Sequence, residues 1–176
     1  MKQNLILGAV ALVSLLAGFL LFQVGFQEEQ ATTPAVEQTI QLNSVPLTSL
    51  NEEESIFSDW QGDILIVNFW APWCAPCRRE IPALIELQKN YANRGVKILG
   101  IALDGKEPVV KFADEYQINY PLFLAGNRIS MYNAAFDNPS GALPYTVILD
   151  RDLEVRFQHN GEVTQDQLLA QLQQIW

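Results

Sequence analysis

The sequence predicts one α/β domain in which a mixed β-sheet is flanked by helices. From residue 40 onward, short apolar runs of strand length alternate with amphipathic stretches of helical length. Near the C-terminus two strand-like runs follow each other across a tight turn, and an amphipathic stretch closes the chain. This order predicts parallel strands joined by helical crossovers, with a hairpin that adds an antiparallel strand.

Two segments precede that domain. Residues 1–26 carry a nearly continuous apolar run, from Leu5 to Phe26, behind Lys2. A helix of this length rises about 33 Å and would cross a hydrocarbon core of about 30 Å. We therefore predict a membrane anchor, with a cleaved signal sequence as the alternative. Lys2 favours a cytoplasmic N-terminus, which leaves the domain outside. Residues 27–39 are polar and are predicted to form a linker, so the compact domain spans 40–176.

The first elements of the domain are short. Residues 40–50 could supply one or two short strands. Residues 51–60 begin with Asn51 and three glutamates, a pattern that predicts a short helix capped by Asn51. Residues 63–70, DILIVNFW, form the kind of apolar run that is typical of a strand covered on both faces.

A helix and a strand form the centre of the predicted fold. The helix is predicted from Ala75 to Asn93, and Gly95 ends it. The apolar run 96–103 predicts the next strand, and the amphipathic stretch 107–117 predicts the next helix.

The last elements complete the sheet. Residues 120–125 predict a short strand and residues 128–136 a helix. Residues 144–150 and 154–160 read as two strands around a turn at 150–153. Residues 164–176 predict the closing helix.

The charge balance excludes one class of partner. The chain has 11 Lys and Arg against 20 Asp and Glu, a formal net charge of −9. Nucleic-acid binding needs clustered positive charge to displace counterions, and the sequence has no such cluster. We therefore expect no nucleic-acid partner.

The two cysteines of the chain, Cys74 and Cys77, could form a metal site, a structural staple or a redox pair. Zinc usually takes four ligands, and the one histidine, His159, lies far along the chain, so we expect no metal and no role for His159. A disulfide across two intervening residues constrains the unfolded chain very little, which argues against a staple.

A redox pair agrees with the surroundings of the cysteines. The predicted strand ends at Trp70, and the predicted helix then begins at the cysteines, where unpaired N–H groups and the helix dipole favour a thiolate. Cys74, at the outer edge, is the predicted nucleophile, and Cys77 is placed one turn on to attack a mixed disulfide. Pro76 is compatible with the first helical turn.

Three charged residues follow the pair. Glu80 lies three residues after Cys77, where it would exchange protons with the thiols or be an ordinary surface glutamate. Desolvation against the apolar strand and a neighbouring thiolate would both raise the pKa of a carboxyl there. Arg78 and Arg79 would add positive charge near the thiols or be solvated helix residues.

The stretch FWAPWCAPCRREIP, residues 69–82, resembles the thioredoxin superfamily and, more narrowly, its membrane-anchored bacterial branch of the TlpA and ResA kind. The branch pattern W-C-x-P-C-x-x-E-x-P is matched at Trp73, Cys74, Pro76, Cys77, Glu80 and Pro82. In GALPYTVILD, Pro144 matches the superfamily's cis-proline, which lies against the cysteines and helps bind the extended substrate. The resemblance implies a thioredoxin fold over about residues 40–176, with Glu80 associated with the active site. The backbone of Leu143 would pair with the substrate as an added strand.

The resemblance also implies a function. We expect a periplasm-facing thiol:disulfide oxidoreductase, single-pass in the bacterial inner membrane, with a redox-active disulfide between Cys74 and Cys77 and no other cofactor. It would reduce disulfides of extracytoplasmic proteins, with apocytochrome c a candidate, and a transmembrane electron donor of the thiol-reductant relay type would recharge it. Trp73, Pro76, Leu143 and Pro144 are the expected substrate-binding residues.

Two departures from the superfamily and two alternative functions remain open. Asn68 stands where typical thioredoxins have aspartate, and Tyr145 stands where the branch devoted to cytochrome c maturation typically has glutamate. The second departure weakens an assignment to cytochrome c alone. The alternatives are a peroxide-reducing redoxin and a non-catalytic peptide-binding module.

Overall fold

The computed structural model of the chain describes residue 42 and residues 45–176. The predicted anchor, the predicted linker and the predicted start of the domain at residue 40 lie outside this part. Within it, no helix has both the length and the apolar character needed to cross a membrane.

The strands of the described residues form one mixed sheet. Its order is β2-β1-β5-β4-β3-β6-β7. β3 and β4 are parallel, as are β4 and β5, whereas β6 is antiparallel to both β3 and β7. These pairings match the predicted crossovers and the predicted C-terminal hairpin. The strands are β1 (Pro46–Ser49), β2 (Glu54–Ile56), β3 (Ile64–Trp70), β4 (Val96–Ala102), β5 (Leu122–Leu124), β6 (Tyr145–Leu149) and β7 (Val155–Asn160).

The helices agree with the sequence pattern except at their ends. Gly95, at φ 76°, ends the first helix in the left-handed conformation that favours glycine, after a final 3₁₀ turn over Ala92–Arg94. The α-helices in this part of the chain are α1 (Ala75–Tyr91), α2 (Lys106–Tyr116), α3 (Ile129–Ala135) and α4 (Gln165–Ile175).

The predicted helix with Asn51 as its cap is wrong. The structure has a turn there, in which the Ser49 hydroxyl accepts hydrogen bonds from the N–H groups of Asn51 and Glu53. β2 then pairs antiparallel with β1, and only Phe57–Trp60 is helical, as a 3₁₀ turn. The glutamates that suggested a helix N-terminus instead lie in and beside an exposed edge strand, where charge discourages pairing with other chains.

β3 lies inside the sheet, between β4 and β6, and separates two clusters of buried side chains. Alternate side chains of the strand point to opposite faces. Ile64, Ile66 and Trp70 pack with the buried residues of α1, α2 and α4. The opposite face packs on α3, on β1 and on the 3₁₀ turn Phe57–Trp60, through Leu65, Val67 and Phe69. Asn68 therefore points toward α1, at the level where the cysteines begin that helix.

Candidate active site

Cys74 lies at the N-terminus of α1. After β3 ends at Trp70, the N–H of Cys74 donates to the carbonyl of Ala71 (3.1 Å). Cys74 is the N-cap residue of α1, and its Sγ accepts a hydrogen bond from the N–H of Cys77 (3.3 Å). Pro76 lies in the first turn, where no helical hydrogen bond is lost. A sulfur at this position is stabilised as a thiolate by the helix N–H groups and by the helix dipole.

The two cysteines are joined in a disulfide, and they differ in access to solvent. Cys74 keeps 6% of its surface exposed, whereas Cys77 is fully buried. A thiol or disulfide that approaches from solvent therefore reaches the Sγ of Cys74 before that of Cys77.

Glu80 is buried one turn beyond Cys77, with 1% of its surface exposed. Its Oε1 accepts a hydrogen bond from Asn68 Nδ2 (2.7 Å), and its Oε2 accepts one from the N–H of Val163 (2.9 Å). Burial raises the pKa of Glu80 to about 7; the two donors oppose this shift, and the charge of Glu162 adds to it. The alternative of an ordinary surface glutamate is wrong, because the carboxyl lies inside the domain.

Asn68 links Glu80 to the sheet. Its Nδ2 also donates to the hydroxyl of Thr146 (3.1 Å), which lies opposite Asn68 on β6. Sequence reasoning missed Thr146 and the Val163 amide, since neither has a distinctive local pattern. A signal existed for Asn68, because it interrupts a strand that is otherwise buried and apolar.

Tyr120 is a further buried group that sequence reasoning missed. Its hydroxyl has no hydrogen-bond partner among the described residues. Burial, together with a smaller effect from the charge of Glu80, raises the pKa of Tyr120 well above its ordinary value. The phenol therefore stays neutral.

A groove of about 450 Å³ runs beside Cys74. Trp73, at its rim, is 67% exposed, and the peptide bond between Leu143 and Pro144 is cis. Three of the residues predicted to bind substrate line the groove, and Pro144 directly follows one of them. Leu103 and Gly141, which sequence reasoning missed, complete the wall. The lining residues are Trp73, Cys74, Ala75, Pro76, Leu103, Gly141 and Leu143.

The two arginines of α1 are held by neighbours at the surface. Arg78 donates through Nη2 to the Tyr116 hydroxyl (3.0 Å), and its guanidinium lies 5.8 Å from the centre of the Tyr116 ring. Arg79 forms an ion pair with Glu162 (2.7 Å). The arginines are therefore engaged with the surface of the domain and are not directed at the sulfurs.

His159 lies near the end of β7, opposite Thr146 in the strand register, and stacks on Phe157 with ring centres 6.0 Å apart. In residue 42 and residues 45–176, the structure contains no group of three or more His, Cys, Asp or Glu side chains arranged to hold a metal ion.

Solved structures with this fold define the class. A putative thioredoxin from Neisseria meningitidis superposes with a TM-score of 0.68 at 22% identity, covering 77% of this chain and 89% of its own. A thiol:disulfide interchange protein of the thioredoxin family from Chlorobium tepidum TLS superposes with a TM-score of 0.67 at 26% identity, covering 74% and 92%. The chain therefore has a thioredoxin-like fold, with a Cys-x-x-Cys disulfide at the start of α1.

The chain belongs to the AhpC/TSA family, whose profile matches residues 36–158. A curated relative, the thiol-disulfide oxidoreductase ResA of Geobacillus kaustophilus (strain HTA426), is 31% identical over 179 aligned residues, which cover 99% of this chain and 97% of the relative. Because the chain resembles this relative over almost its full length and has a disulfide at the start of α1, we conclude that the protein is a thiol:disulfide oxidoreductase.

Proposed function

We propose that this protein is a membrane-anchored reductase that opens disulfides in proteins outside the cytoplasm. The observation that carries the proposal is the position of Cys74. Its sulfur caps a helix, borders an open groove, and lies over a buried partner sulfur that is followed one turn later by a carboxyl with a pKa of about 7.

The reaction is a two-step exchange. In the reduced protein, the Cys74 thiolate attacks one sulfur of the substrate disulfide, and the other substrate sulfur leaves as a thiolate that takes up a proton. Cys77 loses its proton and attacks the Cys74 sulfur of the mixed disulfide, which releases the second substrate thiolate. The protein ends with the Cys74–Cys77 disulfide, and the substrate gains two electrons and two protons.

Glu80 is proposed to accept the proton of the Cys77 thiol and to return it. Residues three apart on a helix are neighbours, so the Glu80 side chain would lie on the same side of α1 as the Cys77 thiol. With a pKa of about 7, Glu80 is near half ionised at neutral pH and can both accept and return a proton. The two groups should titrate as a coupled pair.

Substrate binding is assigned to the groove. Trp73 and Pro76 would form one wall, and Leu143 with the following Pro144 would form the other. A substrate segment in extended conformation would pair with the Leu143 backbone as an added strand, which leaves its side chains free to vary. This mode suits a reductase with several protein substrates. Apocytochrome c is a candidate among them, although Tyr145 after the proline argues against dedication to it.

The anchor and the electron donor complete the proposal. Residues 1–26 would hold the domain at the outer surface of the bacterial inner membrane, in the periplasm or an equivalent space. There a transmembrane protein of the thiol-reductant relay type would reduce the Cys74–Cys77 disulfide after each turnover. The support is the apolar run behind Lys2 and the resemblance to the TlpA and ResA branch.

Trapping in intact cells tests the reductase. In a Cys77→Ser protein the second attack cannot occur, so mixed disulfides between Cys74 and substrates should accumulate and be released by dithiothreitol. A Cys74→Ser protein is the matched control and should trap nothing. Equal trapping by both variants, or reduction of disulfides by the Cys74→Ser protein, would refute the assignment of Cys74.

Cell fractionation with N-terminal sequencing tests the anchor. The expected result is a membrane-bound protein with an intact N-terminus, whose domain is digested by protease added to spheroplasts. A soluble protein that starts after residue 26 would show that the segment is a cleaved signal sequence.

A further inference from the structure

A second cavity adjoins the groove. It has a volume of about 420 Å³ and shares Leu103 with the groove beside Cys74. Both lie where the parallel strands β3, β4 and β5 end, since the N–H of Leu103 donates to the Trp70 carbonyl (2.8 Å) and that of Ala125 to the Ala102 carbonyl (2.9 Å). In open α/β sheets this edge is where ligands bind. The cavity is lined by Leu103, Asp104, Gly105, Ala125, Gly126 and Ile129.

The lining combines apolar walls with one charge. Leu103, Ala125 and Ile129 supply aliphatic side chains, and two glycines leave backbone exposed between them. A Cβ at Gly126 would meet no atom within 4 Å, so the backbone there borders open space. Asp104 is the one charged residue of the lining, and it is half-buried.

Among the residues that the structure describes, no cationic side chain forms an ion pair with the Asp104 carboxylate. Lys106, two residues after Asp104, is paired with Glu52 (3.2 Å), and Arg128, which precedes the lining residue Ile129, is paired with Glu54 (3.2 Å). None of the ion pairs within residues 45–176 includes Asp104. Its Oδ1 accepts a hydrogen bond from the N–H of Gly105 (2.7 Å), which fixes the direction of the carboxylate.

We propose that this cavity is a substrate subsite that binds the side chain of a lysine or arginine lying a few residues from the substrate cysteine. The aliphatic stem of such a side chain would lie against Leu103 and Ile129, and its cationic end would meet Asp104. An extended chain advances about 3.3 Å per residue, so a segment that crosses Leu103 from Cys74 reaches the cavity within a few residues. The subsite rests on the proposed reductase function, and Asp104 would determine specificity without taking part in the exchange.

Peptides with a single cysteine, held as a mixed disulfide with 2-nitro-5-thiobenzoate, provide the test. Each set of three peptides varies one position, which carries arginine, glutamine or glutamate. The sets differ in that position, which lies two to four residues before or after the cysteine. Reduced protein in excess attacks the peptide sulfur, and the coloured thiol leaves, so single-turnover rates need no other reductant. At one position arginine should exceed glutamine by about three- to fivefold, the upper part of the range for a partly exposed ion pair. The advantage should shrink as salt is added.

Three variants decide the outcome. Asp104→Asn keeps an acceptor for the Gly105 N–H and should reduce the ratio of arginine to glutamine rates to within twofold of unity. Asp104→Arg should reverse the preference toward glutamate. Asp114→Asn, which removes an exposed carboxylate of α2 outside the cavity lining, should keep the parent ratio.

Two failures are distinguishable. If the parent releases thiol from the peptides but shows no charge preference at any position, or keeps its preference in Asp104→Asn, the cavity is not a subsite and the reductase stands. If reduced parent protein releases no thiol from any peptide, the reductase itself is refuted, and the subsite with it.

Discussion

The face of the sheet that packs on α1 and the face that packs on α3 share the strand β3 but bury different groups. On the α3 face, Phe69 lies in an aromatic cluster, with ring centres 5.4 Å from Phe136, 6.0 Å from Tyr132 and 6.2 Å from Tyr145. On the α1 face, the neighbouring position is Asn68, which holds the carboxyl of Glu80.

The two faces of β3 therefore contribute differently: one stabilises the domain, and the other holds an ionisable group of the active site. Aromatic side chains gain free energy from burial and from edge-to-face contacts, so the α3 face stabilises the domain. A buried carboxyl that is ionised costs free energy unless donors compensate for lost water, and here Asn68 and Val163 do so only in part, since the pKa of Glu80 remains raised to about 7. The α1 face therefore keeps a group whose charge can change at neutral pH.

The largest expected effect comes from the α3 face. Phe69→Ala removes the ring at the centre of the aromatic cluster and should lower the free energy of unfolding by about 3–5 kcal/mol. Trp73→Ala is the matched control, because it removes a larger ring that is mostly exposed, and it should change stability by about 0.5 kcal/mol or less. Urea denaturation of the oxidised proteins measures both. Similar losses in the two variants would show that the α3 face is not the main source of stability.

The second effect concerns the pH dependence of stability on the α1 face. The pKa of Glu80 is raised from 4.5 to about 7 in the folded protein, so between these values the folded state keeps a proton that the unfolded state has released. The contribution of Glu80 is therefore complete below pH 4.5 and falls by about 3 kcal/mol as pH rises through 7.

Urea denaturation of the oxidised protein at pH 5 and pH 8 tests this effect. Glu80→Gln cannot ionise, so its stability should fall less between the two values than that of the parent. Glu86→Gln, at an exposed position of the same helix, should follow the parent. Parallel curves for the parent and Glu80→Gln would mean that Glu80 ionises in the folded protein as it does in the unfolded chain.

The third effect is kinetic. If Glu80 takes the proton of Cys77, Glu80→Gln should slow resolution of a mixed disulfide by about 100-fold at neutral pH, the low end of general base catalysis. It should also shift the pH profile of thiol alkylation between pH 5 and 10, while Glu86→Gln leaves both unchanged. Superimposable profiles for all three proteins would reduce the mechanism to the two cysteines.

Most of the fold could be predicted because the pattern of apolar runs reports burial directly. The runs at β3, β4 and β6, and the spacing of apolar residues in α1 and α4, indicated their elements without reference to distant residues. The segment before β3 was misread because three glutamates after an asparagine favour a helix N-terminus locally. Pairing with β1, which lies several residues away and is not visible in the local pattern, decides the structure there.

Local pattern alone could predict the site only where it is contiguous, whereas Leu143 and Pro144 were predicted from the family resemblance. Cys74 caps α1, and Cys77 and Glu80 lie within it, so their spacing gave their common face. Thr146 and the Val163 amide reach Glu80 from β6 and from the loop before α4, at a sequence distance that no local pattern reports. Whether Glu80 was buried or exposed therefore stayed open until these partners were known.

The smallest expected effect compares two tyrosines, one on each face. The Tyr145 hydroxyl, on the α3 face, donates to the carbonyl of Phe136 (2.9 Å), whereas the Tyr120 hydroxyl, on the α1 face, has no partner among the described residues. Tyr145→Phe should therefore cost about 0.5–1.5 kcal/mol, the net value of a hydrogen bond. Tyr120→Phe should cost nothing, or stabilise by up to about 1 kcal/mol, because it removes a buried polar atom that has no hydrogen bond to compensate for lost water.

Urea denaturation at pH 6 and pH 8 measures both variants. Because Glu80 gains charge over this range, a cost of Tyr120→Phe that appears only at pH 8 would show that the hydroxyl binds the ionised carboxylate. Equal costs for the two variants at both pH values would mean that the Tyr120 hydroxyl is as well bonded as that of Tyr145, and the contrast between the two faces would then be limited to Asn68 and Glu80.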